Sequence, residues 1–436
     1  MASNVTDAAV ISLLDTDFYK FTMQFCVLKY FPNTEVTYQL TNRTQHMRFT
    51  QEAYHWLRTQ IDHLGSLVFT EDELSYLESF PFFDKSYIRY LSTFRLHPDR
   101  QVVLSFKPDL DDESQFGELS IHVEGLWKET ILYEIPLLAL TSEAYFKFCE
   151  NRWTHEGQQE KACEKGMKLL GHGCHFSELG TRRRRDYKTQ GLVIQGLLNA
   201  AKKMEGIECV GRFLGTSNVH FARKFGIPAL GTIAHEWFMG VAAVTDNYER
   251  ANEIALSFWV NAFGKGVLSV ALTDTFGTMN FLDSFRKPIT LCDSFSSATN
   301  TTKESLGVPL ETYAEIFAGV RQDSGDPREF VNVMRAFYDH EGIVDMKTIV
   351  FTDSLNTDLC IEYKEAAEAQ GFRATFGIGT FLTNDFLQEG TGIKSAPLNV
   401  VMKLSTAERR PAVKLSDNAG KNSGDKEKLA EVKRRI

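Results

Sequence analysis

The chain has 436 residues, 43% hydrophobic and 24% charged, ordinary globular proportions that exclude fibrous and disordered classes. Lys and Arg number 48 against 57 Asp and Glu, a net charge of −9, which argues against whole-surface nucleic-acid binding and against a polybasic membrane protein. The length suggests about three domains, or one α/β barrel with a companion domain. Seven cysteines (Cys26, Cys149, Cys163, Cys174, Cys209, Cys292, Cys360) form no CxxC pair, so a reducing compartment without a zinc ribbon or redox dithiol is expected. The opening residues lack a basic, apolar signal pattern, and no run reaches the ~18 apolar residues of a membrane span. A cytoplasmic location, with exchange into the nucleus, follows as an expectation.

In chain order, 11–30 carries apolar residues at helical spacing (Leu14, Phe18, Phe21, Phe25), and 35–40 alternates like a strand. Residues 51–64 and 71–79 read as helices, and 118–124 as a second alternating strand. This mixture predicts an N-terminal α+β domain over 1–140, joined by 395–436. Beyond 140, short apolar runs end in small or polar residues and lead into helical segments. They are 226–235, 267–275, 316–325, 347–354 and 373–380. Repeated βα units of this kind imply a parallel sheet, here an irregular α/β barrel over 141–394 carrying the active site. Asp326-Pro327-Arg328-Glu329 is a strong helix start, with Asp as cap and Pro at the first helical position. Thr357 and Gly371 bracket a helix over 358–370. The Ser/Thr-rich stretch 293–312 reads as an exposed loop, 405–412 as a turn between two strands, and 420–436 as ending in a charged, frayed helix.

The predicted strand ends carry Thr232 and His235; Thr273 and Asp274; Arg321, Asp323 and Ser324; Thr352 and Asp353; Gly377, Gly379 and Thr380. In a parallel barrel they converge on one mouth. The set holds a nucleophilic or proton-transferring histidine, acids able to hold a divalent cation, an arginine for an anion and a Gly/Thr turn for a phosphate. Singly, each has a plainer reading. An Asp at a strand end is more often a helix cap, and a lone His is more often a half-buried, satisfied imidazole. Five compatible ends in order favour chemistry.

Residues 175–186, HFSELGTRRRRD, place four consecutive arginines after a Gly-Thr turn in an acidic chain. Enclosed there, they would focus positive potential on a small polyphosphorylated anion. On a helix, at most two would face one pocket, and Arg182 and Arg185, three apart, make the better pair. LGTSN, 214–218, offers either backbone N–H groups to an anion or a simple cap by Ser217 or Asn218.

Taken together, LLDTDFYKFTMQ, FSELGTRRRR, LGTSN, GTIAHEW, LTDTFGT, GVRQDSGD, FTDSLN and FGIGTFLTNDF, in this order, closely resemble the nicotinate phosphoribosyltransferase family of fungi and many bacteria. The resemblance runs from about residue 11 to about 425. It implies a type II phosphoribosyltransferase fold. It also implies synthesis of nicotinate mononucleotide and diphosphate from nicotinate and 5-phosphoribosyl 1-diphosphate (PRPP), on the way to NAD. ATP hydrolysis through a phosphohistidine, Mg2+ and a homodimer with shared active sites belong to the same implication; nucleic acid and membrane partners do not.

By that resemblance His235 is the phosphorylated histidine, and Asp274 and Asp323 are the acids around the ribose and Mg2+. Tyr19, contributed from the partner subunit, stacks on the pyridine ring, and Thr232 and Arg321 hold nicotinate. Arg182 contacts the phosphoribosyl substrate. Gly379 and Thr380 cradle its 5′-phosphate, with Asp353 beside them. A related nicotinamide-using family carries Asp near Ser217, and Ser217 spares a carboxylate that repulsion. The transfer needs no covalent glycosyl intermediate; cations offset the charge developing on diphosphate. The stretch 290–313 and the ending KEKLAEVKRRI depart from the family pattern. Competing readings are a nicotinamide or quinolinate phosphoribosyltransferase, a catalytically silent phosphosugar-binding relative, and a nucleic-acid binder using the arginine run.

Overall fold

The computed structural model describes residues 8–109, 115–207, 211–290 and 311–436. Its strands, in chain order, are β1 (Glu35–Asn42), β2 (Phe49–Thr50), β3 (Val102–Pro108), β4 (Phe116–Leu126), β5 (His175–Glu178), β6 (Arg212–Thr216), β7 (Val270–Leu272), β8 (Gly319–Gln322), β9 (Thr348–Phe351), β10 (Arg373–Ile378), β11 (Phe386–Leu387), β12 (Lys394–Ser395), β13 (Val400–Ala407) and β14 (Arg410–Pro411). Two compact units are present. The first takes residues up to Phe21, Thr37–Leu230 and Ile378–Lys403; the second takes Thr22–Val36, Gly231–Gly377 and Leu404–Ile436. The boundary expected near 140 falls within the helix Glu134–Phe148 of the first unit.

The first unit pairs β3 with β4 antiparallel, from Val102 opposite Val123 to Pro108 opposite Gly117. On β4 the side chains of Leu119, Ile121 and Val123 are buried while their neighbours alternate outward, the period-two pattern of a sheet with one covered face. The helix Glu71–Glu78 begins with a reciprocal box in which Thr70 and Glu73 satisfy each other's backbone N–H. The helix Glu134–Phe148 is apolar nearly all round and buried, as such helices must be. Next come β5 and β6, which run parallel, with a bulge between Phe176 and Ser177.

The second unit is built on four parallel strands, with β7 beside β8, β8 beside β9 and β9 beside β10. The helices Thr278–Phe285, Pro327–His340 and Thr357–Ala369 lie between them in sequence. The α/β class and parallel pairing agree with expectation. Asp326 caps its helix as expected, accepting from Arg328 N at 2.8 Å and Glu329 N at 3.0 Å. The helix from Thr357 is capped instead by Asn356, which accepts from Leu359 N at 2.9 Å.

Two expectations need correcting, and a third holds. Residues 226–235 are not a strand: Ala229 makes one isolated bridge to Thr216, and His235 opens the helix His235–Thr245. The strand-turn-strand expected around 405–412 is present, with Glu408 and Arg409 at φ 49° and 61°, the backbone of a tight hairpin. The C-terminal helix Lys426–Arg435 is docked rather than frayed, since Val432 is fully buried and Arg435 pairs with Glu249 at 2.7 Å. Most of 290–313 lies outside the described residues, as do Cys209 and Cys292. Among the described residues no helix is long and apolar enough to cross a membrane.

Gly319 opens β8 where a Cβ would stand 2.1 Å from the carbonyl oxygen of Thr348. Because β8 carries Arg321 into the site, Gly319→Ala forces β8 and β9 apart. We expect it to lower stability by about 3 kcal/mol, read as a fall in the urea midpoint at unchanged slope.

Candidate active site

Of the five expected strand ends, those of β7, β8 and β9 come together in the second unit. Thr273, Asp274 and Thr275 follow β7. Asp323 and Ser324 follow β8, with Arg321 on that strand; Thr352 and Asp353 follow β9. His235 is the first residue of its helix, where the N-terminal end of the helix dipole disfavours a protonated imidazole. Its Nε2 lies 3.0 Å from Asp323 Oδ2, and its Nδ1 lies 3.0 Å from Thr275 Oγ1. Asp274 Oδ1 is 3.8 Å from the same Nε2.

Asp323 divides its two oxygens between different tasks. Oδ1 accepts from Arg321 Nη2 at 2.9 Å and from Thr352 Oγ1 at 2.7 Å, while Oδ2 faces the imidazole. Burial raises its pKa, but the Arg321 guanidinium, with His235 and Lys414, holds the carboxyl well below its ordinary range. Arg321 also donates from Nε to Thr352 at 2.9 Å and from Nη1 to Thr232 at 3.1 Å. Guanidinium has five donors, so one N–H on each terminal nitrogen remains for a ligand. Thr232, an expected ligand residue, is a partner of Arg321.

Two lysines were not singled out from the sequence. Lys414 Nζ, nearly inaccessible to solvent, lies 2.9 Å from His235 Nε2 and 3.2 Å from Asp274 Oδ2. Lys421 Nζ pairs with Asp353 Oδ1 at 2.7 Å. Both belong to the segment after β14. It is pinned by the Lys414–Ser423 bridge, by Leu415 N donating to Thr275 O at 2.8 Å, and by Asp417 accepting from Thr278 N at 2.8 Å. No periodicity marks such a strap; its one signal was two lysines flanking Ser416 and Asp417. Burial, then the like charge of Lys414, lowers the pKa of His235 despite both carboxylates, leaving a neutral imidazole at neutral pH. Asp274 also titrates low: burial raises its pKa, and His235 and Lys414 outweigh that.

His235, Asp274 and Asp323 present ligand atoms within 4.8 Å of one another. Asp274 Oδ1 is buried with no hydrogen-bond partner, whereas Oδ2 is taken by Ser324 at 2.5 Å and by Lys414. An unused oxygen of Asp274 near Asp323 Oδ2 suits Mg2+, which typically takes one or two carboxylates and completes its shell with water and phosphate oxygens. The imidazole is a softer ligand than Mg2+ favours.

The first unit gathers the remaining expected residues around the Gly180–Arg182 turn. The four arginines do not continue as a helix: Thr181–Arg183 is one 3-10 turn, and Arg184 is extended. They therefore separate, and the expected Arg182–Arg185 pair does not form. Arg182 is 42% exposed, with Nε 3.8 Å from Asp17 Oδ2. Arg183 donates to Val400 O at 3.0 Å. Arg184 is fully buried and grips both oxygens of Asp15 at 2.7 Å. Arg185 is buried among aromatic rings.

Ser217 donates to Asp17 Oδ1 at 2.7 Å, and its carbonyl accepts from Phe18 N at 2.7 Å, which brings the Tyr19 segment to this turn. Asp17 thus supplies a carboxylate beside position 217 even though that position is serine. Burial raises the pKa of Asp17 despite Arg182 and Ser217. An aspartate at 217 would put a second carboxylate against it and remove its donor. Gly379 sits where a Cβ would be 3.1 Å from Leu179 O. Thr383 Oγ1 donates to Gly180 O at 3.0 Å, and Asn384 Nδ2 donates to Arg183 O at 2.8 Å, so the Gly379–Thr380 turn lies against the arginine turn. Of the expected residues, then, His235, Asp274, Asp323, Thr232, Arg321 and Asp353 share the second unit. Tyr19, Arg182, Ser217, Gly379 and Thr380 share the first.

Parallel strand ends that bring an imidazole, carboxylates, a guanidinium and two ammonium groups together define an α/β enzyme that handles anionic substrates. The family model described as the nicotinate phosphoribosyltransferase (NAPRTase) family matches residues 174–436, and the model of its N-terminal domain matches 14–142. The chain belongs to this family. It is 42% identical to the nicotinate phosphoribosyltransferase of Saccharomyces cerevisiae over 439 residues, 99% of this chain and 96% of that protein. A crystal structure from the same yeast aligns with TM-score 0.90 at 42% identity, covering 98% of each chain. That of Porphyromonas gingivalis nicotinate phosphoribosyltransferase aligns with TM-score 0.82 at 32% identity, covering 98% of this chain and 99% of the other.

The buried charges of the first unit give a pH signature. Glu143 accepts from Tyr187 N at 3.3 Å, and burial pushes its carboxyl up to about 8 despite Arg184. Its folded pKa exceeds the unfolded value, so the protonated form favours the fold, and stability falls as pH rises from about 4.5 toward 8. Glu143→Gln should leave the melting temperature nearly unchanged at pH 5 and raise it at pH 9, as thermal melts at the two pH values will read.

Proposed function

We propose that the chain converts nicotinate and PRPP to nicotinate mononucleotide and diphosphate, coupled to ATP hydrolysis through phosphorylation of His235. The observation that carries this reading is the His235 imidazole seated between Asp323 at 3.0 Å and Lys414 at 2.9 Å, beside an Arg321 fork with an N–H left on each terminal nitrogen, in a chain of this family. The planar fork matches a carboxylate bidentately, which favours nicotinate over the amide. Thr232, Thr352 and Asp323 fix the plane of that fork before substrate arrives, so little ordering entropy is lost on binding.

In the second unit His235 offers a lone pair to the terminal phosphoryl group of ATP: the N–P bond forms, the P–O bond to ADP breaks, and ADP leaves with the electron pair. Lys414 then lies within reach of the new phosphoryl oxygens and offsets their charge. Asp274 and Asp323 would hold Mg2+, which supplies charge neutralisation to diphosphate oxygens when bound. Lys421 and Asp353 hold each other at the neighbouring strand end. In the first unit, Gly379 and Thr380 present the turn for the 5′-phosphate, Arg182 supplies a cation for the phosphoribosyl group, and Tyr19 offers a ring face to the pyridine. A homodimer with shared sites and a location in cytoplasm and nucleus belong to the same reading.

Purified protein given PRPP, ATP and each of nicotinate, nicotinamide and quinolinate should form mononucleotide from nicotinate fastest by at least about tenfold. Equal use of nicotinamide would overturn the choice of substrate. Arg321→Lys keeps the charge but loses the fork and should raise the nicotinate KM about tenfold; an unchanged value would remove Arg321 from the pocket. Intact-mass spectrometry after ATP treatment should show one acid-labile phosphate, absent in His235→Ala.

A further inference from the structure

Arg185 is wholly buried, yet its Nε and Nη1 have no hydrogen-bond partner. Its guanidinium carbon lies 3.6 Å from the centroid of the Phe146 ring, 4.2 Å from that of Phe386 and 5.2 Å from that of Trp153. Nη2 donates to Ser395 Oγ at 2.8 Å, and Ser395 in turn donates to Glu150. Burial pulls its pKa down to about 9, so it remains a cation at neutral pH. Ring faces thus stand in for the missing acceptors, as planar guanidinium allows and a point-charge ammonium does less well. Such burial is costly for surface packing alone. What it secures is specific: Phe386 and Ser395 follow the Gly379–Thr380 turn in sequence, while Arg185 follows the Thr181–Arg183 turn that carries Arg182. Arg185 N also donates to Thr383 O at 3.0 Å.

We propose that Arg185 is a positioning residue that locks the Arg182 turn to the Gly379–Thr380 turn, and so sets the spacing at which these two turns grip the phosphorylated ribose. This rests on the phosphate role assigned to both turns under the proposed function. Arg182 meets the ligand; Arg185 acts through it. Because misplacing a binding group by about 1 Å can cost up to a hundredfold, losing the lock should weaken phosphoribosyl binding while the nicotinate contacts assigned to Arg321 and Thr232 in the second unit stay in place.

The test is Arg185→Met, which keeps length and favourable contact with the rings, alongside Arg185→Lys. We expect the PRPP KM of Arg185→Met to rise about tenfold and that of nicotinate to stay within about twofold, with Arg185→Lys in between. An unchanged PRPP KM in the folded variant, or a parallel rise in both KM values, would overturn the proposal. Should Arg185→Met fail to fold, Ser395→Ala gives the same reading, with a PRPP KM raised about threefold as the expected result and no change as the refuting one. Calorimetric titration with ribose 5-phosphate needs no turnover. If wild type binds it but makes no nicotinate mononucleotide, the functional reading falls while the positioning role stands or falls on whether Arg185→Met loses that binding.

Discussion

Asp323 holds a guanidinium with one oxygen and an imidazole with the other, and the polar end of the second unit is arranged around that division. A carboxylate flanked by Arg321, Lys414 and His235 stays ionised despite burial. Being ionised, it fixes the guanidinium plane and orients the ring. Neither could be placed as well by a neutral acceptor, because charge-assisted hydrogen bonds are shorter and about twice as strong as neutral ones. Removing one partner would leave a buried charge uncompensated, which costs about 3–5 kcal/mol. The arrangement is therefore an all-or-none network, preorganised before any substrate binds.

The first unit repeats this logic with different members. Arg184 and Asp15 are both inaccessible to solvent and joined by two bonds of 2.7 Å, with Asn218 completing Asp15. Glu178 accepts from Gly180 N, Thr216 and Gln190. These groups add little net stability over a well-packed apolar core. Their effect is geometric, since they tie the arginine turn, the LGTSN turn and the DTDFYK segment into one arrangement. Three of the four arginines hold the turn itself: Arg183 on Val400 O, Arg184 on Asp15 and Arg185 on Ser395.

The strand ends were legible because a parallel βα unit has a simple grammar. A short apolar run ends, a polar residue follows, and the next helix begins with a cap. Asp323, Thr352 and Asp353 obey it, ahead of helices capped by Asp326 and Asn356; Asp274 follows β7 ahead of a helix with no side-chain cap, and Arg321 lies on β8 itself. The arginine run was misread because helical spacing was applied to a single 3-10 turn followed by extended backbone. His235 was placed at a strand end when it opens a helix, where its imidazole meets Asp323, which follows β8, at 3.0 Å. Lys414 and Lys421 escaped notice because their segment has no periodicity, and its one short turn, capped by Asn418, does not mark a site.

Local chemistry, then, was enough for the α/β class, for the order of polar groups along the chain and for the family. Such information is carried by neighbours in sequence: alternation, helix caps and motifs a few residues long. Which groups would touch was settled only by folding. Lys414 meets His235 across 179 residues and Arg184 meets Asp15 across 169, contacts for which no pattern of spacing exists. Whether a charge is exposed, paired or caged depends on what the rest of the chain packs against it, and that environment exists only once the fold has formed.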